Sequence, residues 1–326
     1  METMKAVVLE GACSARELRL STVPIPSVIP GWVLVKVKAF GINRSEMYMR
    51  TVEADSPHIK LPRIPGIECV GEIGEPSDSG LKKGQRVVAL MGGMGRSFDG
   101  SYAEYSLLPS SNVFAIDTDL SWEDLAAIPE TYFTAYGSLF DCLQLNQADH
   151  LLVRGATSAL GLASVQLAKS IGCTVLGTSR QSSRVQILRD LGVDLPLLDD
   201  ATLNERIRSV RPDGIDKILE LVGPATLRQS MLWLSYHGII CFTGVLAHRF
   251  SLDAFDPIKF IPNGVYLSSF FSNFPTQDRI DEIFCHLAAY QLRPVISRVY
   301  RFDQIGLAHE LMENNNAVGK IVITVS

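Results

Sequence analysis

Residues 151–180, LLVRGATSALGLASVQLAKSIGCTVLGTSR, decide the fold. Leu151, Leu152 and Val153 form a short apolar run of the kind buried in a parallel sheet, and Gly155 to Gly161 supplies mostly small side chains where a backbone must turn tightly. Leu160, Ala163, Leu167 and Ile171 then recur at helical spacing, and Gly172 is the glycine that ends such a helix. A second strand follows, closing at Thr178, Ser179 and Arg180. Strand, turn, helix and strand in this order open a dinucleotide-binding βαβ unit, in which the helix N-terminus faces the phosphates.

The turn departs from the G-x-G-x-x-G pattern. Ala156 and Ser158 stand where its first two glycines belong, and only Gly161 keeps its place. Gly155, Ala156, Thr157, Ser158, Ala159, Leu160 and Gly161 are therefore the expected pyrophosphate contacts. About twenty residues downstream, an NAD site carries Asp or Glu for the ribose 2′-hydroxyl. This chain has Ser179 and Arg180 there, with Arg184 one helical turn on. A cationic, hydroxyl-bearing pocket suits a 2′-phosphate, so the expected cofactor is NADPH rather than NADH. The alternative for the two arginines is the solvated start of a helix.

Outward from this unit, three sections are distinguishable. Up to about residue 122 the chain is rich in short β-like runs punctuated by Gly and Pro, including Lys5–Leu9, Trp32–Phe40, Glu68–Ile73 and Arg86–Leu90. From about 123 to 268 strands and helices alternate: Ser182–Leu191 helix, Ile215–Leu221 strand, Ala225–Leu234 helix, Gly238–Gly244 strand. Alternation implies a parallel sheet covered by helices. The last section predicts helices over Thr276–Tyr290 and Asp303–Glu313 and a strand over Lys320–Val325.

Composition fits an ordinary enzyme. The 326 residues, 47% hydrophobic, can fill two cores, yet no run of eighteen apolar residues occurs to span a membrane. A net charge of −5 with no basic run gives no surface for nucleic acid, and METMKAVVLE lacks the pattern of a secretory signal, so the expected location is cytoplasmic. Cysteines 13, 69, 142, 173, 241 and 285 lie far apart without a C-x-x-C pair and read as isolated reduced thiols.

Further segments are GINRSEMYMR (41–50), PGIECVG (65–71), KGQRV (83–87), GSYAEY (100–105), FTAY (133–136) and GKIV (319–322). With the 155–169 turn and helix they resemble, in order and over nearly the whole chain, a medium-chain dehydrogenase/reductase of the zinc-independent quinone oxidoreductase (zeta-crystallin-like) group. The resemblance implies a fold of two parts: a chaperonin-10-like (GroES-like) β-rich catalytic domain over 1–122 and 269–326, and an inserted α/β Rossmann domain, a doubly wound parallel sheet, over 123–268. The cofactor would lie in the cleft between them.

In the zinc-dependent branch a Cys follows the Gly-Ile of the first motif and a His precedes the Glu of the second; here those places hold Asn43 and Ile67, and the four-cysteine zinc lobe is absent. No metal is expected. Glu68 survives from that motif, either as an acid paired with a base such as Arg50 or as a catalytic part. Without a Lewis acid the chemistry must suit hydride donation to an electron-poor acceptor, a quinone or an α,β-unsaturated carbonyl.

By resemblance Asn43 hydrogen-bonds near the nicotinamide ribose or the substrate, Tyr48 lines the site and donates to the substrate oxygen, and Thr134 touches the nicotinamide end. Turn stabilisation is the alternative for Asn43 and core packing for Tyr48. Val222 and Gly223, and Thr243 and Gly244, end consecutive strands and would take the adenosine and ribose; Phe270, Phe271 and Ser272 would border the nicotinamide, or form a buried strand. Lys320 reaches a phosphate or stays solvated. Loop 91–99, MGGMGRSFD, is either a mobile lid or a plain surface connection, and Tyr48, Met91, Met94, Phe98 and Phe271 suggest a flat apolar pocket.

The expected activity is an NADPH-dependent quinone or enone reductase. An enoyl-thioester reductase remains open, as does a nucleotide-binding protein of little turnover with a structural, RNA-binding or redox-sensing role. Residues 264–271, GVYLSSFF, form an apolar strand at the end of the parallel sheet, and an uncovered edge pairs readily with its own copy, so a homodimer is expected.

Overall fold

A computed structural model describes residues 2–325. The residues up to Phe133 together with those from Ser272 onward form one compact unit, and Thr134–Phe271 form a second. The sequence reading placed these transitions at 122/123 and 268/269.

In the first unit, alternation of apolar residues builds the sheet. Trp32–Ile42 (β3 below) buries Val33, Val35 and Val37 on one face, which is the period-two pattern of a strand covered on that side. In chain order the strands before the second unit are β1 Thr3–Val7, β2 Leu20–Pro24, β3 Trp32–Ile42, β4 Glu68–Glu75, β5 Arg86–Leu90, β6 Tyr105–Pro109 and β7 Val113–Ala115. β1 and β2 pair as a two-stranded ribbon. The others join a seven-stranded sheet that the C-terminal segment completes.

The second unit carries β8 His150–Arg154, β9 Thr174–Ser179, β10 Leu195–Leu198, β11 Ile215–Glu220, β12 Leu234–Phe242 and β13 Tyr266–Ser269. They form one parallel sheet in the order β10-β9-β8-β11-β12-β13. Counted from β8 this is 3-2-1-4-5-6, the doubly wound dinucleotide-binding order. Leu152, Leu176, Ile218 and Ile240 from adjacent strands meet Leu203, Ile207, Leu227 and Trp233 in its core.

The chain then returns to the first unit. Helix Gln277–Ala289 precedes β14 Ile296–Arg301, and helix Ile305–Glu313 precedes β15 Lys320–Thr324. The larger sheet runs β14-β15-β3-β4-β5-β7, with β6 also on β3. Its core gathers Val33, Val35, Phe40, Tyr102, Phe302, Ile305 and Ile323. Phe40 stacks on Tyr102 at 4.7 Å, so strand and loop are locked by aromatic contact as well as by hydrogen bonds.

The longer predicted elements are present with shifts of a few residues at their ends. Helix Leu203–Val210 and strands β2, β6, β7, β10 and β14 escaped the sequence reading. Several are too short, or too mixed in polarity, to produce a periodic signal.

Candidate functional site

The turn after β8 is built for close backbone approach. Gly155 has φ +90°, a conformation that favours glycine. Ser158 caps the helix Ala159–Ser170: its hydroxyl accepts the Gly161 N–H at 3.0 Å and donates to the Gly155 carbonyl at 2.9 Å. A Cβ on Gly161 would lie 2.7 Å from the backbone of Ala156 and of Gly155, which cannot move aside. Gly161 thus lets the helix sit against the turn, and the serine replaces a motif glycine by capping what the glycine would leave open. The remaining N–H groups of the first helical turn and the helix dipole suit a pyrophosphate.

β9 ends at Ser179, the first of the residues expected to face the ribose. Thr178 is fully buried: its hydroxyl accepts the Gly155 N–H at 3.2 Å and donates to Asp199 at 3.3 Å. Ser179 is buried and closes a local turn with the backbone of Gln181. Arg180 is exposed, and Arg184 is half-buried on helix Ser182–Asp190. Desolvation, and then the charge of Arg180, lower the pKa of Arg184. Two guanidinium groups that repel one another at a strand end are a place for a polyanion.

The next two strand ends face each other within the same sheet. Gly223 has φ +107° and a Cβ there would meet the Gly244 carbonyl at 2.9 Å, so Val222-Gly223 and Thr243-Gly244 run pressed together. Beneath them Glu220 is fully buried and accepts from the N–H groups of Val222 (2.8 Å) and Gly223 (3.1 Å) and from the hydroxyls of Thr226 (3.0 Å) and Ser230 (2.5 Å). Burial raises its carboxyl pKa, with the Ser230 hydrogen bond pulling the other way. Arg154, also buried, clasps Asp199 through two 2.9 Å bonds and donates to Ser230 at 3.0 Å. Arg154, Asp199 and Glu220 are the residues that sequence reasoning missed. The available signal was a charged residue closing each of two strands directly after an apolar run, Arg154 after Leu151-Leu152-Val153 and Glu220 after Ile218-Leu219.

Other expected contacts of this unit are placed individually. Thr134 is buried on helix Pro129–Tyr136. Phe270 occupies the space beside Gly137 that a Cβ would need, whereas Phe271 is 71% exposed. The strand here ends at Ser269, so these phenylalanines are not a buried strand. Ser272 is buried at the start of the other unit's C-terminal segment.

In the first unit Asn43 precedes the short helix Arg44–Tyr48, and its backbone N–H donates to Glu46 at 2.8 Å. Its amide Nδ2 donates to Glu68 at 2.9 Å and its Oδ1 accepts from Lys320 at 2.6 Å. Lys320 spends its other two donors on Glu68 at 2.6 Å and Thr131 at 2.9 Å. The second oxygen of Glu68 accepts the Glu130 N–H at 2.8 Å.

This arrangement corrects several expectations. Lys320 is neither solvated nor supplied with a donor for a phosphate, because it is buried with all three N–H groups taken. Glu68 pairs with Lys320 and not with Arg50, which contacts Glu313. Asn43 is held by both ends of its amide within the cluster.

Glu46 adds a second buried carboxyl. Desolvation pushes its pKa up to about 7, with the Lys320 charge opposing and Glu68 adding to the rise. Tyr48 is buried; desolvation raises its phenol and Arg44 lowers it.

Loop 91–99 is pinned rather than free. Arg96 grips Glu53 at 2.6 and 3.2 Å and the Ser45 carbonyl at 3.0 Å, Asp99 pairs with Arg63 at 2.9 Å, and Asn112 donates to the Met91 carbonyl at 2.7 Å. Met94 is buried in the core, and Phe98, partly buried, packs against that core and edge-on to Trp32. Gly95 and Gly100 both lie against Gly66, too close to admit a side chain.

Comparison with known proteins agrees with this geometry. Residues 29–118 match the alcohol dehydrogenase GroES-like domain and residues 159–285 the zinc-binding dehydrogenase family. The quinone oxidoreductase of Lama guanicoe is 30% identical over 315 residues, covering 92% of this chain and 90% of that protein. The structure of an NAD-dependent alcohol dehydrogenase superposes with a TM-score of 0.87 at 25% identity, over 99% of this chain and 100% of that one. A mycobacterial protein complexed with NADPH gives 0.85 at 23% identity, over 98% and 99%.

Zinc, which the second family's description implies, does not fit the residues present. Among the described residues no group of three or more His, Cys, Asp or Glu could hold a metal ion. At the expected place Ile67 is apolar, the Asn43 amide is saturated, and an ammonium already neutralises Glu68. From the matched families, the relatives and the sheet order together, the chain belongs to the medium-chain dehydrogenase/reductase superfamily, in its quinone oxidoreductase-like group, and is an oxidoreductase of the nicotinamide-dinucleotide-dependent kind.

Proposed function

We propose that this protein is an NADPH-dependent reductase that delivers hydride to a quinone or an α,β-unsaturated carbonyl without a metal. The observation that carries the reading is the pair Arg180 and Arg184 beyond Ser179 at the end of β9, where an NAD site would carry an acid. NADPH, when bound, supplies the hydride from its nicotinamide ring.

The chain's own residues bind and orient. The 155–161 turn takes the pyrophosphate, Ser179, Arg180 and Arg184 the 2′-phosphate, and Val222-Gly223 with Thr243-Gly244 the adenosine and ribose. Thr134, Phe270, Phe271 and Ser272 serve the nicotinamide end. Tyr48, whose phenol pKa burial raises further above neutral pH, would donate to a developing oxyanion. Lys320 works indirectly, by fixing Asn43 and Glu68. The absence of helices long and apolar enough to cross a membrane, among the described residues, is consistent with a cytoplasmic enzyme. Exposed edge strand β13 suits pairing with a second copy.

The test is turnover and binding together. NADPH should be consumed with 1,4-benzoquinone or 9,10-phenanthrenequinone, and Arg180→Ala should weaken NADPH binding about tenfold while leaving NADH affinity unchanged. Equal affinity of the wild type for NADH and NADPH would refute the cofactor assignment. Binding without turnover on quinones, enones or enoyl thioesters would refute the reductase.

A further inference from the structure

Cys142 and Cys241, ninety-nine positions apart in the chain, come together beside the end of the parallel sheet. Cys142 ends the wide helical turn Gly137–Cys142, and its thiol donates to the Ser269 carbonyl at 3.4 Å. Cys241 lies on β12, in register with Ser268 of β13, one residue from that carbonyl. Its sulfur is 3.2 Å from the Thr243 hydroxyl, which in turn is 3.0 Å from the Ser138 hydroxyl on the same helical turn as Cys142. The two thiols thus border one cluster of hydroxyl and carbonyl groups shared by Ser138, Thr243 and Ser269.

We infer that Cys142 and Cys241 are a dithiol modification site, which a hydroperoxide converts to an intramolecular disulfide. Their surroundings divide the labour. Cys142 is half-buried and can meet an oxidant, whereas Cys241 is fully buried. Burial raises both thiols, Cys142 to about 12 with Cys241 and Asp141 adding to the rise. The Thr243 hydroxyl beside its sulfur opposes the rise at Cys241, so Cys241 is the better-supported nucleophile.

The chemistry balances with hydrogen peroxide as the two-electron oxidant. The Cys142 sulfur takes one peroxide oxygen to give a sulfenic acid, and water leaves. The Cys241 sulfur then attacks the sulfenic sulfur: the S–S bond forms, the S–O bond breaks, and hydroxide departs with the Cys241 proton as a second water. Two thiols are oxidised and one peroxide is reduced. High thiol pKa values make the first step slow, so the site records sustained oxidative load.

Closure draws the Cys241 sulfur from the Thr243 hydroxyl. If Thr243 contacts the nucleotide, as the proposed function holds, oxidation weakens NADPH binding about three- to tenfold, the loss expected for one hydrogen bond.

Treating the full-length protein with hydrogen peroxide, blocking residual thiols with N-ethylmaleimide and mapping peptides without reductant should give one linked pair carrying Cys142 and Cys241, abolished by dithiothreitol. In Cys241→Ser, which keeps a hydrogen-bonding group, the link should vanish and dimedone should trap sulfenic acid on Cys142. Both thiols of the wild type still alkylated after exposure, Cys142 driven to sulfinic acid without a link, or links formed through other cysteines would each overturn the inference, whether or not the variant folds. A disulfide that forms without changing NADPH affinity would sustain the pair and overturn the role of Thr243.

Discussion

At Glu68 one buried carboxylate depends on one lysine. Neither side chain is more than 3% exposed, and the pair also fixes the Asn43 amide. Removing one partner of a buried pair leaves an uncompensated charge, so Lys320→Met should cost about 3–5 kcal/mol in urea unfolding. Glu68→Gln combined with Lys320→Met should recover a large part of that loss. A single variant as stable as the wild type would mean the pair is not buried in solution. Glu46 carries a pH dependence of definite sign. Its folded-state pKa is raised from 4.5 to about 7, so its contribution is fully present below about pH 4.5 and is lost as pH rises through 7. The shift corresponds to about 3 kcal/mol, and Glu46→Gln should flatten the unfolding free energy between pH 5 and pH 8 relative to the wild type. A variant that tracks the wild-type profile would refute it.

Among elements, the β8 turn and its helix carry the clearest sequence-to-structure relation. Gly161 was legible as the surviving motif glycine, and the structure supplies the reason: three backbone atoms lie 2.7 Å from where its Cβ would be. Gly161→Ala should therefore destabilise by about 1–3 kcal/mol and also weaken NADPH binding, measured by thermal unfolding and nicotinamide fluorescence. Gly192→Ala is the control, with open space around it and only its φ of +90° to oppose substitution, so its nucleotide affinity should not change. Ser158 was read as a missing glycine. Its capping role needed the helix start to be located, because a serine is a cap only if the residue after it begins a helix. Loop 91–99 shows the opposite case. Its composition left a mobile lid and a plain surface connection both open, and Arg96, Asp99 and Asn112 tie it down through residues that no local pattern could nominate.

For the whole molecule, β13 at the end of the parallel sheet pairs on one side only, and Tyr266 on it is 54% exposed. Edge-to-edge pairing predicts a sedimentation mass of twice 35.8 kDa. Tyr266→Lys, a charge on that edge, should shift the equilibrium toward the single chain. A monomer at micromolar concentration would refute the dimer. The sequence by itself determined the two kinds of architecture, the nucleotide-type turn and the cationic end of β9, because periodicity, turn chemistry and helix capping are written in residues close along the chain. Only the tertiary structure decided that Lys320 serves Glu68 and Asn43, that Arg154 and Glu220 lie beneath the turns after β8 and β11, and that two cysteines distant in sequence border one hydroxyl cluster. Those pairings join residues distant in sequence, and a buried charge or thiol takes whichever neighbour chain closure brings within reach.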